Sequence, residues 1–167
     1  QDYFTAVDDL KRDEDDSGAD TIQETELTCG LFYGYVVIDL PSLISNCGKD
    51  KELAAGVVHN LVHLIAEVSP GAKLGSTAPY GRADLMLIEA GDRQPRSLAT
   101  AYQKPARNDF AEARDALQKR LGELDTAYET GEMRAHLCTS GELTGIEKMS
   151  LGRLARWAAE RVAEAPA

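Results

Sequence analysis

Apolar positions recur along this chain with two different periods, and the periods define its elements. Residues 31–39 (LFYGYVVID) hold the densest run. Tyr35, Val36, Val37 and Ile38 are apolar at successive positions, which predicts a central strand covered on both faces. Over residues 51–68 the spacing changes. Leu53, Val57, Leu61, Leu64 and Val68 follow at steps of three and four, predicting an amphipathic helix that buries this stripe. Asp50 is its candidate N-cap, and Pro70-Gly71 ends it. Residues 83–90 (ADLMLIEA) form a second apolar strand, closed by Gly91-Asp92.

Weaker signals fill the rest. Residues 41–46 make a short helical turn, residues 73–80 a loop or edge strand, and a short helix follows Ser97. A longer helix over about 109–128 places Phe110, Leu117, Leu121, Leu124 and Tyr128 on one stripe. Residues 134–139 read as a brief strand. Ser150 caps a last helix, whose apolar face is Leu151, Leu154, Ala158 and Val162 beside Trp157. There is no internal repeat. Near the start, strand-forming residues 2–10 and alternating residues 21–28 flank KRDEDDSGAD, a polar segment with a Ser17-Gly18 turn signal. Together they predict a long, projecting β-hairpin with a solvated acidic tip. The fold class is therefore α+β: half of a ferredoxin-like, RRM-type palm (strand, helix, strand), a projecting hairpin and C-terminal helices. Three regions follow: 1–29 as hairpin, 30–92 as half palm and 93–167 as helical region packed on it.

Charge sharpens this division. The chain has 167 residues and a formal net charge of −10. Residues 1–29 hold ten of its 28 acidic side chains and two of its 18 basic ones, so the body is near neutral and the acidity is local. The three cysteines, Cys29, Cys47 and Cys138, cannot all pair within one chain and are expected to be reduced in a cytoplasmic protein. No apolar run has membrane-spanning length, and no signal-peptide pattern opens the chain. The sequence starts in strand-like residues without methionine, so it is expected to be part of a longer chain, with the missing palm strands supplied by that part.

Candidate chemistry is sparse. His59 and His63 stand four apart, as zinc ligands on one helical turn do, but Asn60 occupies the place where a hydrolytic zinc helix needs glutamate. They read as a solvent- or subunit-facing pair. GAKLGS at 71–76 lacks phosphate-loop spacing and follows a helix. Its Lys73, with Ser76 and Thr77, remains available for backbone phosphate contact. The acidic tip lacks the spacing of a calcium loop, and no nucleophile–base pattern occurs. No cofactor and no enzyme activity are expected. Phe4 and Thr5 on the hairpin allow two readings, packing on its base or wedging between nucleic-acid bases.

The blocks DYFTAVDDL, GLFYGY, VSPGAK and ADLMLIE, in this order over residues 2–103, resemble the CasC-type (Cse4) backbone subunit of the type I-E CRISPR Cascade complex. Residues 104–149 resemble it only loosely, and the chain looks like the C-terminal half of such a subunit. The resemblance implies a right-hand shape with an RRM-like palm, helical fingers and a β-hairpin thumb. It implies non-catalytic copies polymerised along a CRISPR RNA, each thumb displacing one base, with other Cascade subunits and, indirectly, target DNA as partners. DNA cutting falls to a recruited helicase-nuclease. On this resemblance Phe4 and Thr5 press against the displaced base. Lys11 and Arg12, at the base of an unusually acidic tip, are the better phosphate contacts in the hairpin. The rival expectation is an acidic protein-interaction module without a nucleic-acid role.

Overall fold

The computed structural model describes residues 2–5, 19–23, 30–68, 81–104, 106–107 and 109–165, the first two spans by backbone alone. The chain divides into two compact units, Gln1–Gly30 and Leu31–Ala167.

In the first unit, β1 (Asp2–Thr5) pairs antiparallel with β2 (Ala19–Gln23). The register runs from Asp2 opposite Gln23 to Phe4 opposite Thr21, then slips so that Thr5 faces Ala19. Asp20 is thus an extra residue on β2. Such a bulge bends the ribbon and increases its twist. The remainder of the expected hairpin, including its acidic tip, lies outside the described residues.

The second unit is built on a three-stranded sheet in the order β3 (Leu85–Ala90), β4 (Met133–Cys138), β5 (Glu147–Lys148). β3 and β4 are antiparallel, β4 and β5 parallel. Strand period two sorts the side chains of β3 between two layers. Leu85 and Leu87 pack with Leu98, Leu117, Leu121, Leu124 and Leu143. Met86 and Ile88 face the other way, onto Ala135, Leu154 and Trp157.

The first layer is supplied by α3 (Phe110–Tyr128), capped by Asp109, whose carboxylate accepts from the Ala111 N–H at 2.8 Å. Its expected stripe is buried at Leu117, Leu121 and Leu124, but Tyr128 in the last turn is exposed. The second layer is α4 (Leu151–Glu164) with α2 (Lys51–Glu67) beside it. Lys51 at the start of α2 donates to the Ala165 carbonyl beyond the end of α4 at 2.8 Å, so the two helices run antiparallel. Small residues line their seam: Ala54, Val58 and Val62 against Ala155, Ala158 and Val162. Asp50 caps α2 through the Leu53 N–H at 2.9 Å. Ser150 stands at the α4 N-cap without a side-chain capping bond. α1 (Leu40–Asn46) adds Ile44 to the same cluster. A 3-10 turn at Ala99–Tyr102 sits against α3.

Two expectations are corrected. Residues 31–39 are not a covered strand: they join no sheet, and Phe32, Tyr35, Val36 and Val37 are exposed. β3 finds its partner in β4, from the C-terminal part of the chain, and no strand pairs with 31–39 among the described residues. The face of α2 is also different. Ala54, Val58, Val62 and Ala66 are buried, while Leu53, Val57, Leu64 and Val68 are exposed. The apolar arc of α2 is wider than one packing face, and α4 takes the half with the smaller side chains because backbones approach closely there.

Candidate nucleic-acid interface

The structure brings few of the expected contact residues into view. Phe4 and Thr5 lie in β1, and the slip in register falls between these two positions. Lys11, Arg12, Lys73, Ser76 and Thr77 lie outside the described residues. The surroundings of residues 31–37 are clearer. Tyr33 Oη accepts from the Leu98 N–H at 3.0 Å, and its ring lies 5.6 Å from that of Tyr102. Burial, then the neighbouring Tyr33, raises the Tyr102 phenol above its ordinary value. One end of the segment is therefore fixed while Phe32 beside it is 80% exposed.

His59 and His63 sit side by side on α2 with ring centroids 5.1 Å apart and ring planes tilted by 45°, and His63 Nδ1 lies 3.5 Å from the Glu67 carboxylate. No group of three or more His, Cys, Asp or Glu able to hold a metal occurs among the described residues. Cys47 and Cys138 are free thiols. No helix among the described residues is long and apolar enough to cross a membrane.

Two sets of charged side chains stand out among several ion pairs. The first closes the end of the sheet. Arg134 donates to Glu89 at 2.6 Å, to Asp125 at 2.7 Å and to Glu132 at 3.3 Å. Arg96 joins Glu132 at 3.0 Å and Glu89 at 3.2 Å, and Thr130 also donates to Asp125. The Arg134 hydrogen bonds hold the Asp125 carboxyl at about 2. Burial pushes Glu132 up, but its Thr130 hydrogen bond and the two guanidiniums bring it below its ordinary value. Each charge here has a partner, as partly buried charges require. This set staples α3 to the sheet.

The second set lies on α4. Arg153, Arg156 and Glu160 recur at steps of three and four, opposite the buried Leu154, Ala155, Ala158 and Val162, with half-buried Trp157 and Arg161 at the border. Arg153, Arg156, Trp157 and Glu160, with Met149, line a shallow groove of about 210 Å³. Arg161 lies 5.2 Å from the Trp157 ring centroid and pairs with Glu164 at 3.0 Å. Sequence reading noted Trp157 only as a neighbour of the buried face. The recurrence of cations on the other face was the signal that could have found the groove.

The fold resembles that of chains from RNA-guided surveillance complexes. One solved chain, described as "CRISPR RNA-guided surveillance complex", superposes with a TM-score of 0.69 at 20% identity, covering 95% of this chain and 63% of that one. A second, described as "CRISPR RNA-guided surveillance complex, pre-nicking", gives 0.70 at 20% identity, covering 96% of this chain and 45% of that one. This chain therefore spans less than two thirds of either. No curated protein sequence matches it. The CT1975-like protein family matches residues 1–160, and the chain belongs to that family.

Proposed function

We propose that this chain is the C-terminal part of a non-catalytic backbone subunit of a type I-E Cascade surveillance complex, which holds a CRISPR RNA in the cytoplasm. The observation that carries this reading is the fold likeness over 95% of the chain to a subunit of an RNA-guided complex, joined to the four ordered sequence blocks. Grip on the RNA is through its backbone and is independent of base sequence. The hairpin acts as the thumb, with Phe4 and Thr5 at the displaced base, Lys11 and Arg12 on phosphates, and Lys73, Ser76 and Thr77 as a further backbone contact. Copies of the subunit stand side by side along the RNA with other Cascade subunits, and target DNA is met through pairing with the guide. The slip in register at Phe4 and Thr5, opposite the extra Asp20 on β2, supports this assignment, because bulges are frequent at functional positions of strand pairs.

The test is purification of the full subunit from its source under mild salt. The expected result is co-elution with several partner proteins and a discrete, nuclease-protected small RNA, released as salt rises. A protein that emerges free of RNA and indifferent to added RNA at every salt concentration would favour the acidic interaction module instead.

A further inference from the structure

Resting on the RNA-holding reading, we propose that the outer face of α4 is a second nucleic-acid site, with Arg153 and Arg156 on the phosphates of a single strand beside Trp157. The groove at this face is lined by exposed Arg153, Arg156 and Glu160, with buried Met149 and half-buried Trp157 tying it to the core. Arg156 is exposed and makes no ion pair among the described residues. Arg153 pairs with Glu147 at 2.9 Å, with both side chains 58% exposed. An exposed pair of this kind contributes at most about 1 kcal/mol, so a phosphate exchanges for the carboxylate at little cost.

Spacing and chemistry select the ligand. Arg153 and Arg156 are one turn apart, with about 5–6 Å between Cβ atoms at such positions, close enough for two long side chains to reach neighbouring phosphates. Guanidinium forks match phosphate oxygens in pairs, which ammonium groups do not. Trp157 is half-buried, wedged between the core and Arg161, so it offers a fixed aromatic wall rather than a mobile one. Glu160 on the rim repels phosphates and carboxylates alike, so the choice of a nucleic-acid strand over an acidic peptide rests on the RNA-holding reading. Both arginines are exposed, so replacing them leaves the core intact.

The experiment uses the full-length subunit and a short fluorescein-labelled single-stranded RNA, with affinity measured by anisotropy across a salt series. The variants are Arg153→Gln/Arg156→Gln, Arg153→Lys/Arg156→Lys and Phe4→Ala. Loss of two phosphate contacts is expected to reduce the slope of log affinity against log salt by about 1.4 and to weaken binding roughly three- to tenfold at moderate salt. The lysine pair should restore the slope more fully than the affinity. Emission from Trp157, the only tryptophan of this sequence, should be quenched by RNA in the wild type and not in the glutamine pair. An unchanged slope and unchanged quenching, with binding weakened by Phe4→Ala, would overturn the α4 site and leave the RNA-holding reading standing. A wild-type protein that binds no RNA even at low salt would overturn both. Quenching by a polyglutamate peptide but not by RNA would assign the groove to a protein partner and overturn the proposal.

Discussion

Residues 31–39 and β3 are written in nearly the same apolar alphabet, yet only one of them is a strand. β3 has β4 along one edge, α3 beneath and α4 above, and its alternate side chains enter two different clusters. Residues 31–37 have the Tyr33 anchor on Leu98 and Tyr102, and most of their large side chains face outward. The outer face of α2 repeats the contrast within one helix, with Val58 buried and Val57 exposed. Apolar pattern reports what a segment is able to bury, and burial itself needs a partner. Exposed apolar side chains gathered on one segment or one helix face mark a surface made to be covered.

The comparison predicts unequal effects from equal chemistry. The largest is expected in the closed region. Leu154 is fully buried between β4 and the α2–α4 seam. Leu154→Ala should destabilise by about 3–4 kcal/mol, since the lost transfer energy adds to an unrelaxed cavity. Denaturant unfolding measures it; a loss within about 0.5 kcal/mol, the usual range of surface substitutions, would mean that α4 is not seated on the sheet.

Next comes the stapled end of the sheet. Arg134→Ala leaves Glu89, Asp125 and Glu132 without their shared cation. Removing one member of a largely buried ionic cluster costs about 3 kcal/mol, although the partial exposure of Asp125 places this site at the low end. Arg134→Met should recover packing but little of the loss. If both variants match the wild type in unfolding midpoint and slope, the cluster does not hold α3 to the sheet.

The same end makes stability depend on pH in a definite direction. Asp125 is depressed from 3.8 to about 2, and Glu132 is also lowered. A carboxyl depressed in the folded state adds stability above its unfolded value, and the gain is lost as pH falls through the folded one. Stability should therefore decline from about pH 4 toward pH 2, and Asp125→Asn should flatten that limb. His136 adds a second window. It is fully buried in β4, and its Nε2 accepts from the Leu143 N–H at 3.0 Å. Burial, then the nearby Lys148, lowers it from 6.5, against the opposite pull of Glu142. The folded state favours the neutral ring, so its contribution is complete above 6.5 and fades as pH drops below that value. Thermal unfolding across pH 4–7 of the wild type and His136→Gln measures this, and parallel curves would remove His136 as the source.

The reach of sequence reading follows the same divide. Helix boundaries were legible because local signals set them: Asp50 and Asp109 cap as their positions suggest, and Leu117, Leu121 and Leu124 form the buried stripe of α3. β5 carried no signal, because Glu147 and Lys148 are polar residues held by parallel pairing to β4. The clustering of Arg134 with Glu89 and Asp125 joins residues far apart in sequence and becomes visible only once β3 and β4 are in register. The α4 groove was half legible. Its spacing is written in the sequence, but its depth depends on how Trp157 is wedged against the core. The α2 stripe was misread because Leu53, Val57 and Leu64 are the larger side chains, while close packing on α4 selects Ala54, Val58 and Val62.

The smallest effect is the one that sharpens the contrast most. Leu64 occupies the open face of α2 and is 55% exposed. In this chain alone, Leu64→Ala should change stability by no more than about 0.5 kcal/mol, because alanine favours the helix and little apolar area is uncovered. In the full subunit, or in an assembly of copies, the same substitution should cost about 2 kcal/mol or more if the face is covered there. The difference between the two measurements is the quantity of interest, since errors in the unfolded-state reference are largely shared. A large cost already present in the isolated chain would mean that α2 packs its outer face within this chain. A small cost in both would leave the exposed leucines and valines without a structural partner, and the likeness between residues 31–39 and β3 would then be one of composition alone.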